Sequence, residues 1–465
     1  MRLRRPALIA TAYIAFGVAV FAARPPATPG PMARDFEAYW SAGATFDRHA
    51  DAYTSSIWND ERTVPGVNAG REGPLPFVAP PAMLPFWGVI AHVPYAVAAP
   101  WWLLFLCSAL GGLLLACLRG ARVHLTAANG FAAIALAITF GPITSDLALG
   151  QFAVVAAFGA SLLVVAARML PATLGAVLAL AQPNVVPALL SQVSRKRQLI
   201  AMAVALGVIY LIGAFAAGWN WVGVYVALLA AHGAAERFTA IQITPGAIAY
   251  GLGATPAAAL FIAIAVALAA VALAVAIAKR TPDAFARFAA FAALTPFVSG
   301  FWHEHDLVMA FPAAMWCALR CAPSRRAIAL IGTLLVAIDW FGFAQRPGAI
   351  AQTALLAIAA WCAFNALRSS TLDLPVGYAS AAVAALFVAA AVLAVADPAP
   401  VWPNAMHAIG LPPNAPIAQE WSAQQEATGL DRPVATWALL RALSLAGCAL
   451  LAYATGSRSA YYRTA

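Results

Sequence analysis

Apolar residues run along this chain of 465 residues in long blocks separated by short polar breaks. A hydrocarbon core takes about 20 apolar residues per crossing helix. Blocks near that length fall at 7–23, 95–118, 124–140, 150–167, 198–217, 256–278, 284–301, 305–320, 327–343, 349–367, 376–396 and 434–455. The pattern therefore predicts an all-α, polytopic integral membrane protein with twelve transmembrane helices. The block at 171–193 departs from it. Pro183 and Pro187 interrupt the sequence AQPNVVP there, and SRKR follows at 194–197. A single crossing would place SRKR outside, against the excess of Lys and Arg on cytoplasmic loops. A re-entrant hairpin kinked at Pro183 keeps Arg168 and SRKR on one side. Its irregular backbone must then be covered by protein or line a cavity.

With that choice the charges sort by side. Arg2, Arg4, Arg5, Arg119, Arg122, Arg168, Arg195, Lys196, Arg197, Lys279, Arg280, Arg287, Arg320, Arg325, Arg326, Arg368, Arg458 and Arg463 fall on the cytoplasmic side, joined by the acids Asp283 and Asp373. MRLRR followed by the apolar run 7–23 has the form of a signal peptide. The many spans that follow favour an uncleaved first helix, and either way the next segment is extracytoplasmic. Both termini then face the cytoplasm, and three long outer segments remain: 24–94, 218–255 and 397–433. Connections of that length usually carry function or are disordered. The first is rich in aromatic residues and is expected to be ordered, within a single transmembrane domain spanning 1–465.

Composition narrows the class. Hydrophobic residues make up 63% of the chain and charged residues 10%, against about 25% charged in soluble domains. The net charge of +9 is a topology signal, with no nucleic-acid footprint in it. Lysine occurs only at positions 196 and 279 while alanine and arginine abound, as in high-GC bacterial genomes, and the expected location is a bacterial cytoplasmic (inner) membrane. The six cysteines lie inside or at the ends of apolar runs, without zinc spacing or a disulfide framework. No phosphate-binding loop or dinucleotide fingerprint occurs.

The polar residues that membrane packing does not require gather in a few places. MARDFEAYWSAGATFD, from Met32 to Asp47, follows the first span. If 36–46 is a short helix, Phe36 and Trp40 share one face and Asp35 lies over Tyr39. Asp35 then either caps that helix or serves chemistry. In LTPFVSGFWHEHDL, residues 294–307, His303, Glu304, His305 and Asp306 sit at the outer end of two spans. Four titratable groups in a row at a membrane boundary usually mark function; the plainer alternative is an interfacial turn anchored by Trp302. His303, His305 and Asp306 have the types of metal ligands, but His-x-His alone is weak ligand spacing, and the reading carries no metal and no cofactor. Gln151 opens a span, as a cap or a site residue. Gln182 precedes Pro183 at the hairpin tip, where it satisfies broken backbone or contacts substrate. His232, Glu236 and Arg237 read as a solvated face. Sidedness, assigned from basic residues alone, puts Asp35, Gln151 and the 303–306 cluster on the same outer surface. A carboxylate with histidines nearby is a general-base arrangement.

These residues resemble the polyprenol-phosphate-mannose-dependent mannosyltransferases of glycosyltransferase family 87, which have the GT-C membrane fold. Asp35-Phe36-Glu37-Ala38-Tyr39 stands where the family has D-F-x-x-Y, and Ala52-Tyr53 where it has P-Y. Phe77-Val78-Ala79-Pro80-Pro81 matches F-x-Y-P-P except for Ala79, and Gly150-Gln151 matches G-Q. Gln182-Pro183 replaces the family's K-P, Thr295-Pro296 lies upstream of its usual place, and Trp302-His303-Glu304-His305 keeps the W-x-x-H spacing. The resemblance covers about residues 7–320, in order.

The resemblance implies an inverting transferase, moving a sugar such as mannose from a polyprenyl-phosphate donor to a hydroxyl of a glycolipid or glycan acceptor on the outer face. Asp35 would be the general base. His305 would polarise the donor phosphate or orient Asp35, and Tyr39, Tyr53, Gln151, Gln182, Trp302 and His303 would bind substrate. Three other readings compete: a glycolipid transporter or flippase, a catalytically inactive scaffold, and an outer-face glycan ligase of the same architecture. A transporter predicts ionisable residues near the bilayer midplane and internal repeats, and the sequence has no repeat.

Overall fold

Among the described residues, six helices are long and apolar enough to cross a membrane: Tyr95–Gly120, Lys196–Ala217, Pro256–Arg280, Pro347–Ala366, Pro375–Ala396 and Ala435–Thr455. The computed structural model from which they are taken describes residues 30–70, 72–367, 374–401, 412 and 414–456. The expected first span at 7–23 lies outside these residues. Pro256–Arg280 shows why such a segment is a helix. The Thr255 side chain accepts from Ala258 N, proline takes the first helical position, and Lys279 and Arg280 close the last turn. Phe261, Leu268 and Val271 point outward and exposed, as lipid-facing side chains do.

Two further apolar stretches are bent. Ala127–Ile138 and Gly141–Leu149 meet at 69°, and Met169–Leu180 and Pro183–Gln192 at 112°. Counting each pair as one span gives eight membrane-capable helices among the described residues, where the hydrophobic pattern predicts eleven besides 7–23. The remaining blocks form shorter pieces. Ala153–Val165 and Ala284–Val298 have 13 and 15 residues, about 20 and 22 Å at 1.5 Å per residue, and most of their side chains are buried. The block at 305–320 opens with a 3₁₀ stretch, His305–Ala310, before Phe311–Arg320; that at 327–343 breaks between Arg326–Ala337 and Trp340–Gln345. Burial by neighbouring protein and burial by lipid call for the same residues, so hydrophobicity alone does not distinguish a long span from a short interior helix.

The bend at Gln182–Pro183 turns 169–192 into a hairpin. Arg195 Nη1 donates to Val164 O at 2.9 Å, so the chain returns beside its point of entry. At the tip, the Gln182 side chain reaches Asp306. Gly159 and Gly175 permit this packing, since a Cβ on either would lie 2.6–2.7 Å from the other's carbonyl oxygen.

Polar contacts divide the molecule into two ends. At one, Arg122 pairs with Asp283 at 3.4 Å, Arg320 donates to Ala121 O and Arg122 O, and Arg325 donates to Tyr453 O. These residues share the side that sequence reasoning assigns to the cytoplasm. The three segments assigned to the outside meet one another at the opposite end. Ser55 N donates to Ala415 O and Ile417 N to Tyr53 O. Gln424 Nε2 donates to Pro74 O, Tyr225 O–H to Val78 O, and Ala240 N to Leu430 O. The long loop at 24–94 is ordered over its described part, through Phe36–Asp47 and Leu84–Ala91. One apolar cluster from Ala33 to Ala454 underlies both ends.

Candidate active site

Asp35 stands immediately before the helix Phe36–Asp47, yet its side chain makes no capping hydrogen bond. Instead Oδ2 accepts from Gln151 Nε2 at 2.6 Å, and Gln151 Oε1 accepts from the Tyr39 hydroxyl at 2.6 Å. The carboxylate, the amide and the phenol form a chain that fixes which way Gln151 is turned. The backbone brings them together: Asp35 N donates to Leu149 O at 2.8 Å, and the Trp102 indole donates to Gly150 O at 2.7 Å. Gly150 has φ +75°, and a Cβ there would lie 2.7 Å from Ala33 Cβ, so this crossing needs glycine twice over.

The aromatic residues around Asp35 are anchors. Phe36 is fully buried and stacks on Trp102 at 5.5 Å, and Tyr39 stacks on Trp87 at 4.9 Å. Phe36 and Trp40 both contact Tyr95 from the face they share. The D-F-x-x-Y spacing thus has a physical sense here: the phenylalanine pins the helix start, and the tyrosine one turn later reaches the glutamine that holds the acid.

The second cluster faces the same cavity of about 2180 Å³. Asp306 Oδ1 accepts from Gln182 Nε2 at 2.6 Å, and Oδ2 accepts from His303 N at 2.9 Å. His305 Nε2 lies 3.9 Å from Asp306 Oδ1 and makes no hydrogen bond to Asp35 among the described residues. His303 Nε2 lies 2.9 Å from Glu236 Oε2, and His232 Nε2 lies 3.2 Å from Glu236 Oε1. Gln242 joins them, donating to Glu236 and accepting from Trp302 N at 2.7 Å. Burial alone would raise the Glu236 carboxyl, but the two histidines hold it far below the usual carboxylate range. Burial would lower His303, yet Glu236 raises it, so the pair favours its charged form. Glu304 is pushed up to about 8 by burial and by the nearby Asp339.

The cavity is lined by Asp35, Tyr39, Gln151, Gln182, His303 and His305 among the expected residues. Two others do not line it. Trp302 is fully buried in the core, off the cavity wall, and contributes backbone contacts. Tyr53 spends its hydroxyl on Ala79 O at 2.8 Å and packs on Phe77, fastening the loop from behind.

The solvated face expected at 232–237 holds only for Arg237. His232 and Glu236 are 2% and 1% exposed and support His303. Their i,i+4 spacing on Trp221–Glu236 was a signal, but the partner that gives it meaning lies 67 residues on. Arg441, unassigned from the sequence, donates from within the last helix to Thr239 O and Gln242 O, which steadies this loop. The chain matches no family model, no curated protein and no solved structure, so its function must be argued from this geometry. Fold and site together define a helical membrane protein with a large, mostly apolar cavity into which these polar groups are gathered.

Proposed function

We propose that this cavity is the active site of an inverting glycosyltransferase, moving a sugar, mannose by the resemblance, from a polyprenyl-phosphate donor to a glycolipid or glycan hydroxyl. The observation that carries this reading is Asp35. One of its oxygens is fixed by the Gln151–Tyr39 chain, the other takes no hydrogen bond among the described residues, and the carboxylate lines a cavity large enough for two substrates. In the reaction, Asp35 takes the proton of the acceptor hydroxyl as that oxygen bonds to the anomeric carbon. The bond from that carbon to the phosphate oxygen breaks on the opposite face, its electron pair leaves with the polyprenyl phosphate, and configuration inverts. Phosphate leaves readily, so positioning and one base supply the catalysis. His303, favoured as a cation beside Glu236, and His305 are the groups in the cavity suited to the phosphate.

The cavity wall also supports a lipid donor. Leu103, Leu110, Leu114 and Ile134 line it together with the polar groups, which gives a prenyl chain an apolar surface beside the reacting end. The reading includes twelve crossings, with the short interior helices completing those that the long ones begin, and a site outside the cytoplasm of a bacterial inner membrane. A donor there reaches the site from the bilayer rather than as a cytoplasmic nucleotide sugar. The test is transfer by the purified protein in liposomes given radiolabelled mannosyl polyprenyl phosphate and a membrane lipid extract as acceptor source. Labelled product from this donor supports the reading, and labelled product from a nucleotide sugar alone contradicts it.

A further inference from the structure

His303, His305 and Asp306 can each offer one ligand atom, and the three atoms lie within 4.8 Å of one another. Bonds of about 2.0–2.2 Å put the ligand atoms of a tetrahedral zinc site roughly 3.3–3.6 Å apart. His305 Nε2 and Asp306 Oδ1, at 3.9 Å, are a few tenths of an ångström from that spacing.

What surrounds the three residues separates this group from a chance meeting of polar side chains. A metal-ligating histidine usually gives its other ring N–H to a carboxylate, which fixes the tautomer and the ring orientation. His303 has that partner: its Nε2 lies 2.9 Å from Glu236 Oε2, leaving Nδ1 for a ligand. Glu236 is itself held by His232 and Gln242 in a buried setting. Asp306 is oriented as a ligating carboxylate should be. Each oxygen accepts one hydrogen bond, from Gln182 Nε2 and His303 N, and a carboxylate oxygen has a second acceptor position. Gln182 adds a further sign. Its Oε1 is buried and has no hydrogen-bond partner among the described residues, although its Nε2 is bonded to Asp306. A buried amide oxygen is costly to leave without a partner, and a cation beside Asp306 would supply one.

We infer that His303, His305 and Asp306 bind one divalent first-row transition ion of the zinc type, with the fourth position left to Gln182 Oε1 or to a ligand from the cavity. Two imidazole nitrogens and one carboxylate oxygen, without thiolate, suit Zn²⁺, Co²⁺ or Mn²⁺ better than Ca²⁺ or Mg²⁺. The ion takes the place of the proton on His303 Nδ1 while Nε2–H stays on Glu236. Binding of the ion stands apart from the transferase reading, because its readout is metal uptake rather than product.

The test uses the full chain purified in detergent, stripped with chelator and titrated with Co²⁺ by visible absorption and with Zn²⁺ by calorimetry. One ion per chain is expected, with ligand-field bands of a nitrogen- and oxygen-ligated site. Glu236→Gln should weaken binding about 10–100-fold, the usual cost of losing an outer partner, and His305→Ala should weaken it further. Asp306→Asn keeps the shape and an oxygen for Gln182, so it serves where the histidine variants fail to fold. Zn²⁺ should raise the melting temperature of the wild type by mass action and leave that of Asp306→Asn unmoved. No uptake by the wild type up to millimolar Co²⁺ would overturn the site. Uptake of equal affinity in the wild type, His305→Ala and Asp306→Asn would overturn it as well.

Discussion

Gln151→Glu is the most informative single change beside the proposed base, because it alters charge with almost no change of shape. Gln151 Nε2 donates to Asp35 Oδ2 at 2.6 Å; in the variant a carboxylate oxygen stands there instead. Two unit charges about 3 Å apart at an effective dielectric constant of about 20 repel by roughly 5.5 kcal/mol, which corresponds to about 4 pH units. Asp35 is only partly buried, and solvent in the cavity screens the repulsion to about half, roughly 2 pH units. Added to an ordinary carboxylate value of about 4, this keeps one proton shared by the pair up to about pH 6, where neither carboxylate is a dependable base. Transfer of labelled sugar in liposomes should fall several-fold relative to the wild type below about pH 6 and recover toward about pH 7. Gln151→Leu provides the control. It removes the hydrogen bond without adding charge, so it should lower the rate without moving the pH profile toward alkali. A Gln151→Glu protein that melts normally and keeps the wild-type rate and pH profile would refute the assignment of Asp35 as the base.

Two further expectations concern the scaffold. With the six native cysteines replaced, a membrane-impermeant maleimide applied from outside should label Arg62→Cys and spare Lys196→Cys, both at exposed positions; the reverse pattern would put the cavity in the cytoplasm. Burial carries the Glu37 carboxyl up to about 8 against the opposing pull of Arg34. The folded state therefore holds a proton that the unfolded chain releases near its ordinary value, and this contribution to stability is full below about 4.5 and lost as pH rises toward 8. The stability of Glu37→Gln relative to wild type should thus increase over that window, by up to about 1.4 kcal/mol per pH unit for one proton, and parallel melting curves across it would contradict the burial argument.

The parts of this molecule legible in the sequence are those encoded locally or by side. The bend at Gln182–Pro183 follows from proline chemistry, and the separation of basic from site residues follows from the distribution of Arg and Lys. Asp35 and Gln151 were each readable as caps, and only their mutual contact across 116 positions distinguishes a site from two helix ends. Glu236 illustrates the opposite error. Its neighbours make it look solvated, but three polar partners, the nearby His232 and Gln242 and the distant His303, make its burial tolerable. Trp302 and Tyr53 carry motif positions yet stand off the cavity wall, because a short motif records which residues are present and says nothing of which way they face. The number of crossings is not legible in hydrophobicity for a related reason: interior helices such as Ala284–Val298 are as apolar as lipid-facing ones while being shorter than a full span.

The central claim is tested most directly by the rate of Asp35→Asn. The asparagine has nearly the same volume and retains an oxygen to accept from Gln151 Nε2, so the Gln151–Tyr39 chain survives and the protein should reach the membrane and melt as the wild type does. Only the capacity to take a proton is removed. Measured as initial transfer from labelled mannosyl polyprenyl phosphate by equal amounts of purified protein in liposomes, the variant should be slower by about 10²-fold or more, the usual scale for loss of a general base. Turnover within a few fold of wild type would contradict the account and return Asp35 to a structural role.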